Sequence, residues 1–201
     1  MITEDDYQPA DVAAARSRLV VISGCSGGGK SSLLAELGRR AHPIFPEPGR
    51  QIVKEQLAID GDALPWSGDG VKFLELALSR ALHQMTQAAA LGRTCFFDRG
   101  VVDAASPLLR LGATASGAAN ALQRFRYARR MFMIPPWPEI YATDAERRHS
   151  LADALPEYER LQTTYAELGY EIVEVPRLSI AQRADFVLAH TALEGGAAGG
   201  A

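Results

Sequence analysis

The stretch G-C-S-G-G-G-K-S at positions 24–31 constrains the chain more tightly than any other, because it matches the pattern G-x-x-x-x-G-K-[ST] in full. A backbone can wrap a polyphosphate and aim successive N–H groups at its oxygens only where side chains do not obstruct it, hence the glycines. The pattern predicts that Gly24, Cys25, Ser26, Gly27, Gly28, Gly29, Lys30, Ser31 and Ser32 hold the phosphates of a nucleotide. Lys30 is placed to reach the β- and γ-phosphates. The Ser31 hydroxyl is placed on Mg²⁺, and the positive end of the following helix adds to the attraction. The motif demands a strand before it and a helix after it. Residues 18–23 (R-L-V-V-I-S) are a β-branched apolar run, and residues 31–41 space Leu33, Leu34 and Leu37 along one helical face, so both flanks fit.

The alternation continues downstream. Residues 43–45 predict a short strand, followed by a rigid polar loop over 46–50 (P-E-P-G-R) at the edge where open α/β sheets hold ligands. From 70 to 91, Val71, Leu74, Leu78, Ala81, Met85 and Ala88 recur at three- and four-residue steps, which marks a core-facing helix. A strand over 94–97 ends at Asp98; helices over 102–111 and 118–130, a strand over 131–134 and a stiff loop over 135–141 follow. Thr143 with Glu146 and Ser179 with Gln182 have capping-box spacing and open the last two helices, on either side of a strand over 171–175. Strand and helix repeated in this way imply a parallel sheet covered on both faces, with right-handed crossovers. The 201 residues suit one such domain, over 18–194, between a loosely held acidic arm (1–17) and a low-complexity tail (195–201).

Charge and cysteine content narrow the function. A formal charge of −3 gives no basic field for nucleic acid. No apolar run approaches bilayer length and the N-terminus is acidic and polar, so the expected location is the cytoplasm. Cys25 and Cys95 are the only cysteines, one in the phosphate loop and one in a buried strand, which argues against a disulfide. The four histidines are scattered without zinc spacing.

Asp98, closing an apolar strand, fits the Mg²⁺-associated aspartate of phosphate-loop proteins and would complete the metal site begun by Ser31. The residue after it is Arg99, where many hydrolases carry a glutamate that polarises water, and no N-K-x-D guanine-reading segment follows 131–134. The D-R-G triplet at 98–100 looks like the D-R-[SGYH] motif of nucleoside and nucleotide kinases. With P-E-x-x-R at 46–50, P-P-W at 135–137, D-A-E-R-R at 144–148 and L-G-Y-E-I-V-E-V-P at 168–176, the chain resembles the NadR-like group of predicted AAA-type ATPases, relatives of nicotinamide riboside kinase and the deoxynucleoside kinases. The resemblance spans residues 18–193.

That resemblance implies an α/β P-loop NTPase: a five-stranded parallel sheet in the order 2-3-1-4-5 sandwiched by helices, nucleoside/nucleotide-kinase-like, with a mobile lid over 136–150. It implies that Glu47 accepts the acceptor's hydroxyl proton, that Arg99 contacts substrate or phosphate, and that Arg147 and Arg148 close over the phosphates. ATP would be the co-substrate, Mg²⁺ the cofactor, and a small nucleoside- or nucleotide-like molecule the acceptor. The alternative is an ATPase or nucleotide-gated binding module without such an acceptor. Trp66 and Trp137 can stack on a base or simply pack. Asp60, Asp62 and Asp69 lie in a glycine-containing loop that either faces substrate or has no such role.

Overall fold

Five strands, β1 (Leu19–Gly24), β2 (Ile44–Phe45), β3 (Cys95–Asp98), β4 (Arg130–Ile134) and β5 (Glu171–Glu174), pair in parallel throughout and lie in the order β2-β3-β1-β4-β5. The structure, a computed structural model, describes residues 7–9, 12–25, 27–66, 68–113, 116–140 and 151–197. Among the described residues eight α-helices accompany the strands: α1 (Val12–Ala15), α2 (Lys30–Arg39), α3 (Pro48–Ala58), α4 (Gly70–Ala90), α5 (Val101–Arg110), α6 (Ser116–Arg124), α7 (Leu151–Glu167) and α8 (Ile180–Ala197). Among the described residues no helix is long and apolar enough to cross a membrane.

The strands read as unbroken apolar runs because helices cover both faces, and the period of two decides which residue meets which layer. Leu19 and Val21 of β1, Cys95 and Phe97 of β3, and Met131 and Met133 of β4 face one way, into a core shared with α1, α4, α5, α6 and α7. Their neighbours Val20, Ile22, Phe96, Phe132 and Ile134 face the other way, onto Leu33, Leu34 and Leu37 of α2 and Ala184 and Val187 of α8. The central position of β1 carries the phosphate loop to the middle of the sheet's C-terminal edge, where ligand crevices form in open α/β sheets.

Three expectations change. Residues 48–50 belong not to a rigid loop but to the first turn of α3, with Glu47 at its N-cap and Pro48 at N1, where the missing N–H costs nothing. The helix predicted over 118–130 stops at Arg124; the chain then continues without regular structure to β4, with Ala128 N–H donating to Leu19 O at 2.7 Å and Tyr127 fully buried. Within the N-terminal arm, Val12 and Ala15 of α1 are buried in the core, so this part is docked.

Other local signals act as read. Gln182 N–H donates to Ser179 Oγ at 3.4 Å while Ser179 N–H donates to Gln182 Oε1 at 3.2 Å, the reciprocal box that opens α8. Helix α8 runs past Leu193 to Ala197. Gly169, at φ 76°, ends α7, with Tyr170 N–H returning to Tyr165 O at 3.1 Å. The capping pair Thr143 and Glu146, most of the lid, Ser26, Arg147 and Arg148 lie outside the described residues.

Candidate functional site

The phosphate loop leaves β1 and turns directly into α2, whose N-cap is Gly29. The loop is pressed against the end of β4. A Cβ at Gly28 would lie 2.5 Å from Ile134 Cγ2 and 2.6 Å from Pro135 O, so this glycine is required by close packing. Lys30, Ser31 and Ser32 form the first turn of α2 and, with Cys25, Gly27 and Gly29, line a cavity of about 580 Å³. The cavity is also lined by Trp137, after β4, and by Leu178, Ser179, Ile180 and Arg183 before and within the first turn of α8. Arg177 holds these two segments together by donating to Pro136 O at 2.7 Å.

Lys30 and Asp98 meet in a buried ion pair, their side chains 8% and 10% exposed. The pairing follows from register: Asp98 closes β3 beside Ile22 of β1, two residues short of the loop. Ser31 and Asp98 offer hard oxygen donors of the kind Mg²⁺ prefers. Among the described residues no group of three or more His, Cys, Asp or Glu is gathered to hold a metal.

Arg99 adopts a left-handed backbone (φ 60°), which turns its side chain inward to three carboxylates. Its guanidinium lies 2.8 Å from Glu157, 3.4 Å from Glu47 and 3.8 Å from Asp103. Burial alone would lower its pKa, but Glu157, Glu47 and Asp103 outweigh that and raise it well above the ordinary value. Asp103 is itself fixed, accepting from Tyr165 Oη at 2.8 Å, Gly100 N–H at 3.0 Å and the Ser23 hydroxyl at 2.5 Å. The glycine of D-R-G is structural: a Cβ at Gly100 would lie 2.6 Å from Cζ of buried Tyr127. Glu47 occupies the N-cap of α3 without capping it through its side chain, and Gln84 of α4 secures the preceding Pro46 carbonyl at 2.9 Å.

A second, smaller cavity of about 190 Å³ opens between α3, α4, α5 and α7. Its polar lining is Glu47, Arg99, Asp103, Glu157 and Arg160, with Phe73 as the aromatic wall. Glu47 and Arg99 line both cavities and form the partition between them.

The structure therefore brings together Lys30, Ser31, Ser32, Glu47, Asp98, Arg99 and Trp137 among the residues singled out in the sequence. It adds Asp103, Glu157, Arg160 and Arg183, which no local pattern marks. Asp69 serves as the N-cap of α4, accepting from Lys72 N–H at 2.9 Å, and Asp62 pairs with the Lys72 ammonium at 2.8 Å, which gives these two of the three loop aspartates a structural role.

Cys25 is buried in the loop, and burial, then Glu157, pushes its thiol up to about 11. At pH 8 only about one molecule in a thousand then carries the thiolate, against roughly one in four for a free cysteine. Iodoacetamide at pH 8 is expected to leave Cys25 largely unmodified over the time in which a model thiol reacts fully, as read by intact mass; rapid stoichiometric labelling of Cys25 would contradict this burial.

Similar solved structures include deoxyadenosine kinase from M. mycoides with bound dATP, at 16% identity and TM-score 0.48, covering 86% of this chain and 98% of that one. Another is thymidylate kinase from Ehrlichia chaffeensis, at 13% identity and TM-score 0.47, covering 87% of this chain and 97% of that one. No curated protein matches the sequence. A family model described as an AAA domain matches residues 19–183, from the first residue of β1 to the first turn of α8, and the chain belongs to that AAA domain family.

Proposed function

We propose that this protein is an ATP-dependent phosphotransferase acting on a small nucleoside- or nucleotide-like acceptor, of the NadR-like kind, working with Mg²⁺ in the cytoplasm. The observation that carries the reading is the shared partition: Glu47 and Arg99 line the phosphate-loop cavity and the smaller cavity behind it. A hydrolase needs room only for water beside the γ-phosphate. Here a separate polar pocket with an aromatic wall adjoins it, and the carboxylate and guanidinium suited to proton and charge transfer stand between the two.

On this reading the loop amides, Lys30, Ser31 and Ser32 hold the triphosphate of ATP. Glu47 takes the proton of the acceptor hydroxyl as its oxygen attacks the γ-phosphorus, and ADP leaves. Arg99 balances the charge that develops on the transferred group, with Glu157 and Asp103 fixing its direction. Mg²⁺, when bound, neutralises phosphate charge, and Ser31 and Asp98 are the residues that would hold it. Arg147 and Arg148 complete the proposal as lid cations.

The test is ADP release from Mg·ATP, alone and with a panel of nucleosides and nucleoside monophosphates, with Lys30→Ala as the blank. Release that rises several-fold with one acceptor, together with a phosphorylated product by mass, is the expected result. Slow release indifferent to every acceptor would turn the reading towards an ATPase or a nucleotide-gated module.

A further inference from the structure

Arg183 is the most deeply buried cation among the described residues, at 2% exposure, and its charge is met differently from every other buried charge there. Arg99 has three carboxylates around it, and Lys30 has Asp98. Arg183 pairs with no carboxylate among the described residues. Asp185, two residues along the same helix, is taken by Arg40 at 2.6 Å. One guanidinium nitrogen, Nη2, donates to Gly28 O in the phosphate loop at 3.0 Å, while Nε is buried with no hydrogen-bond partner among the described residues. Burial accordingly lowers the pKa of this side chain, with no neighbouring charge among the described residues to raise it, yet a guanidinium remains protonated. A buried, uncompensated charge is among the costliest features a fold can carry. Its retention makes sense where a counter-ion arrives from outside the chain.

The position says which counter-ion. Arg183 lines the same phosphate-loop cavity as Lys30, tethered to the loop's own backbone. The indole of Trp137 lies 5.7 Å from the guanidinium carbon, measured to the ring centroid, and limits the directions the side chain can take. We infer that Arg183 is a nucleotide-binding residue whose guanidinium, anchored through Nη2 on Gly28, donates to a phosphate of the bound nucleotide. The inference rests on the nucleotide-binding reading above and adds a cation that the loop motif does not contain. It also makes α8 part of the nucleotide site, so that the last helix is held to the loop at one atom and to the ligand at another.

The experiment compares wild type, Arg183→Gln and Arg183→Lys by displacement of a fluorescent ADP analogue with Mg·ADP and, separately, with adenosine, at several salt concentrations. Thermal unfolding of each unliganded variant confirms that it is folded. Arg183→Gln is expected to weaken ADP on the order of 10- to 100-fold, the loss of one charge-assisted hydrogen bond, and to leave adenosine unchanged. The salt dependence of ADP binding should become shallower, because one fewer charge is engaged. Arg183→Lys should keep the salt dependence while losing part of the affinity, since the charge stays but the fixed fork does not. If the glutamine variant does not fold, the lysine variant carries the comparison.

ADP binding equal to wild type in a folded Arg183→Gln would overturn the inference and leave Arg183 a tether between α8 and the loop. Equal losses for ADP and adenosine would also overturn it, assigning the side chain to the base. A wild-type protein that binds no nucleotide in the presence of Mg²⁺ would instead remove the parent reading.

Discussion

Lys30→Ala is expected to abolish acceptor-dependent ADP release and, less obviously, to destabilise the protein before any ligand is present. Catalytically, removing a cation that meets developing phosphate charge in a water-poor site costs about 10²- to 10³-fold in turnover. The second effect comes from the pair that Lys30 makes with Asp98. Both side chains are buried, and Asp98 sits at the C-terminal end of β3 beside the central strand β1. Deleting the ammonium strands a carboxylate there, and breaking one side of a buried pair costs about 3–5 kcal/mol, a large share of the roughly 5–15 kcal/mol that holds a domain folded. Removing both charges should cost much less, because neither is then left alone. Urea unfolding of Lys30→Ala, Asp98→Asn and the double variant measures this directly. The expected pattern is a double variant more stable than Lys30→Ala. If the two stability losses simply add, the pair is not coupled and the account of the buried site is wrong. Because Mg·ATP would bring its own charges to both partners, nucleotide should also stabilise wild type far more than either single variant.

What the sequence made legible follows how local each determinant is. The phosphate loop, the continuous apolar runs of β1, β3 and β4 and the Ser179 and Gln182 box are written within a few residues, and all appear where expected. Helix α3 was not legible because only Ile52 and Val53, with Pro48, are buried along it, while Leu57 and the residue after the helix, Ile59, are exposed, so its periodicity is faint and the prolines look like loop punctuation. The site's remaining members are set by distance in the fold. Arg99 and Glu157 are 58 residues apart, Ser23 and Asp103 80, and Arg183 and Gly28 155. Glu157 and Arg160 sit on α7 at a spacing that in sequence signals only a solvated ion pair, and Arg183 follows a capping box as an ordinary helical arginine would. Only the sheet order, which puts β3 and β4 on either side of β1, turns these residues towards one loop.

Glu47→Gln separates chemistry from binding more cleanly than any other single change. The substitution keeps size and hydrogen-bonding capacity but cannot take a proton, so turnover with acceptor should fall about 10²- to 10⁴-fold, the range for loss of a general base. Nucleotide affinity should hardly change, because the loop, Lys30 and the first turn of α2 are untouched. The structural side effect is bounded. Glu47 caps α3 through its backbone position and not through its side chain, and Arg99 keeps Glu157 at 2.8 Å and Asp103 at 3.8 Å when the Glu47 charge is removed. The signature that a purely structural role would not produce is in the pH dependence. If Glu47 is the base, the acidic limb of the wild-type kcat/KM profile, where activity rises as a carboxyl ionises, should vanish in Glu47→Gln. Glu47→Asp should keep that limb while losing rate, because a carboxylate withdrawn by one methylene still ionises but is misplaced by about 1 Å, which alone costs on the order of 10²-fold. A Glu47→Gln enzyme that retains the acidic limb, or one whose nucleotide affinity falls in step with its turnover, would show that the carboxylate serves to hold Arg99 in the partition and that the proton leaves by another route.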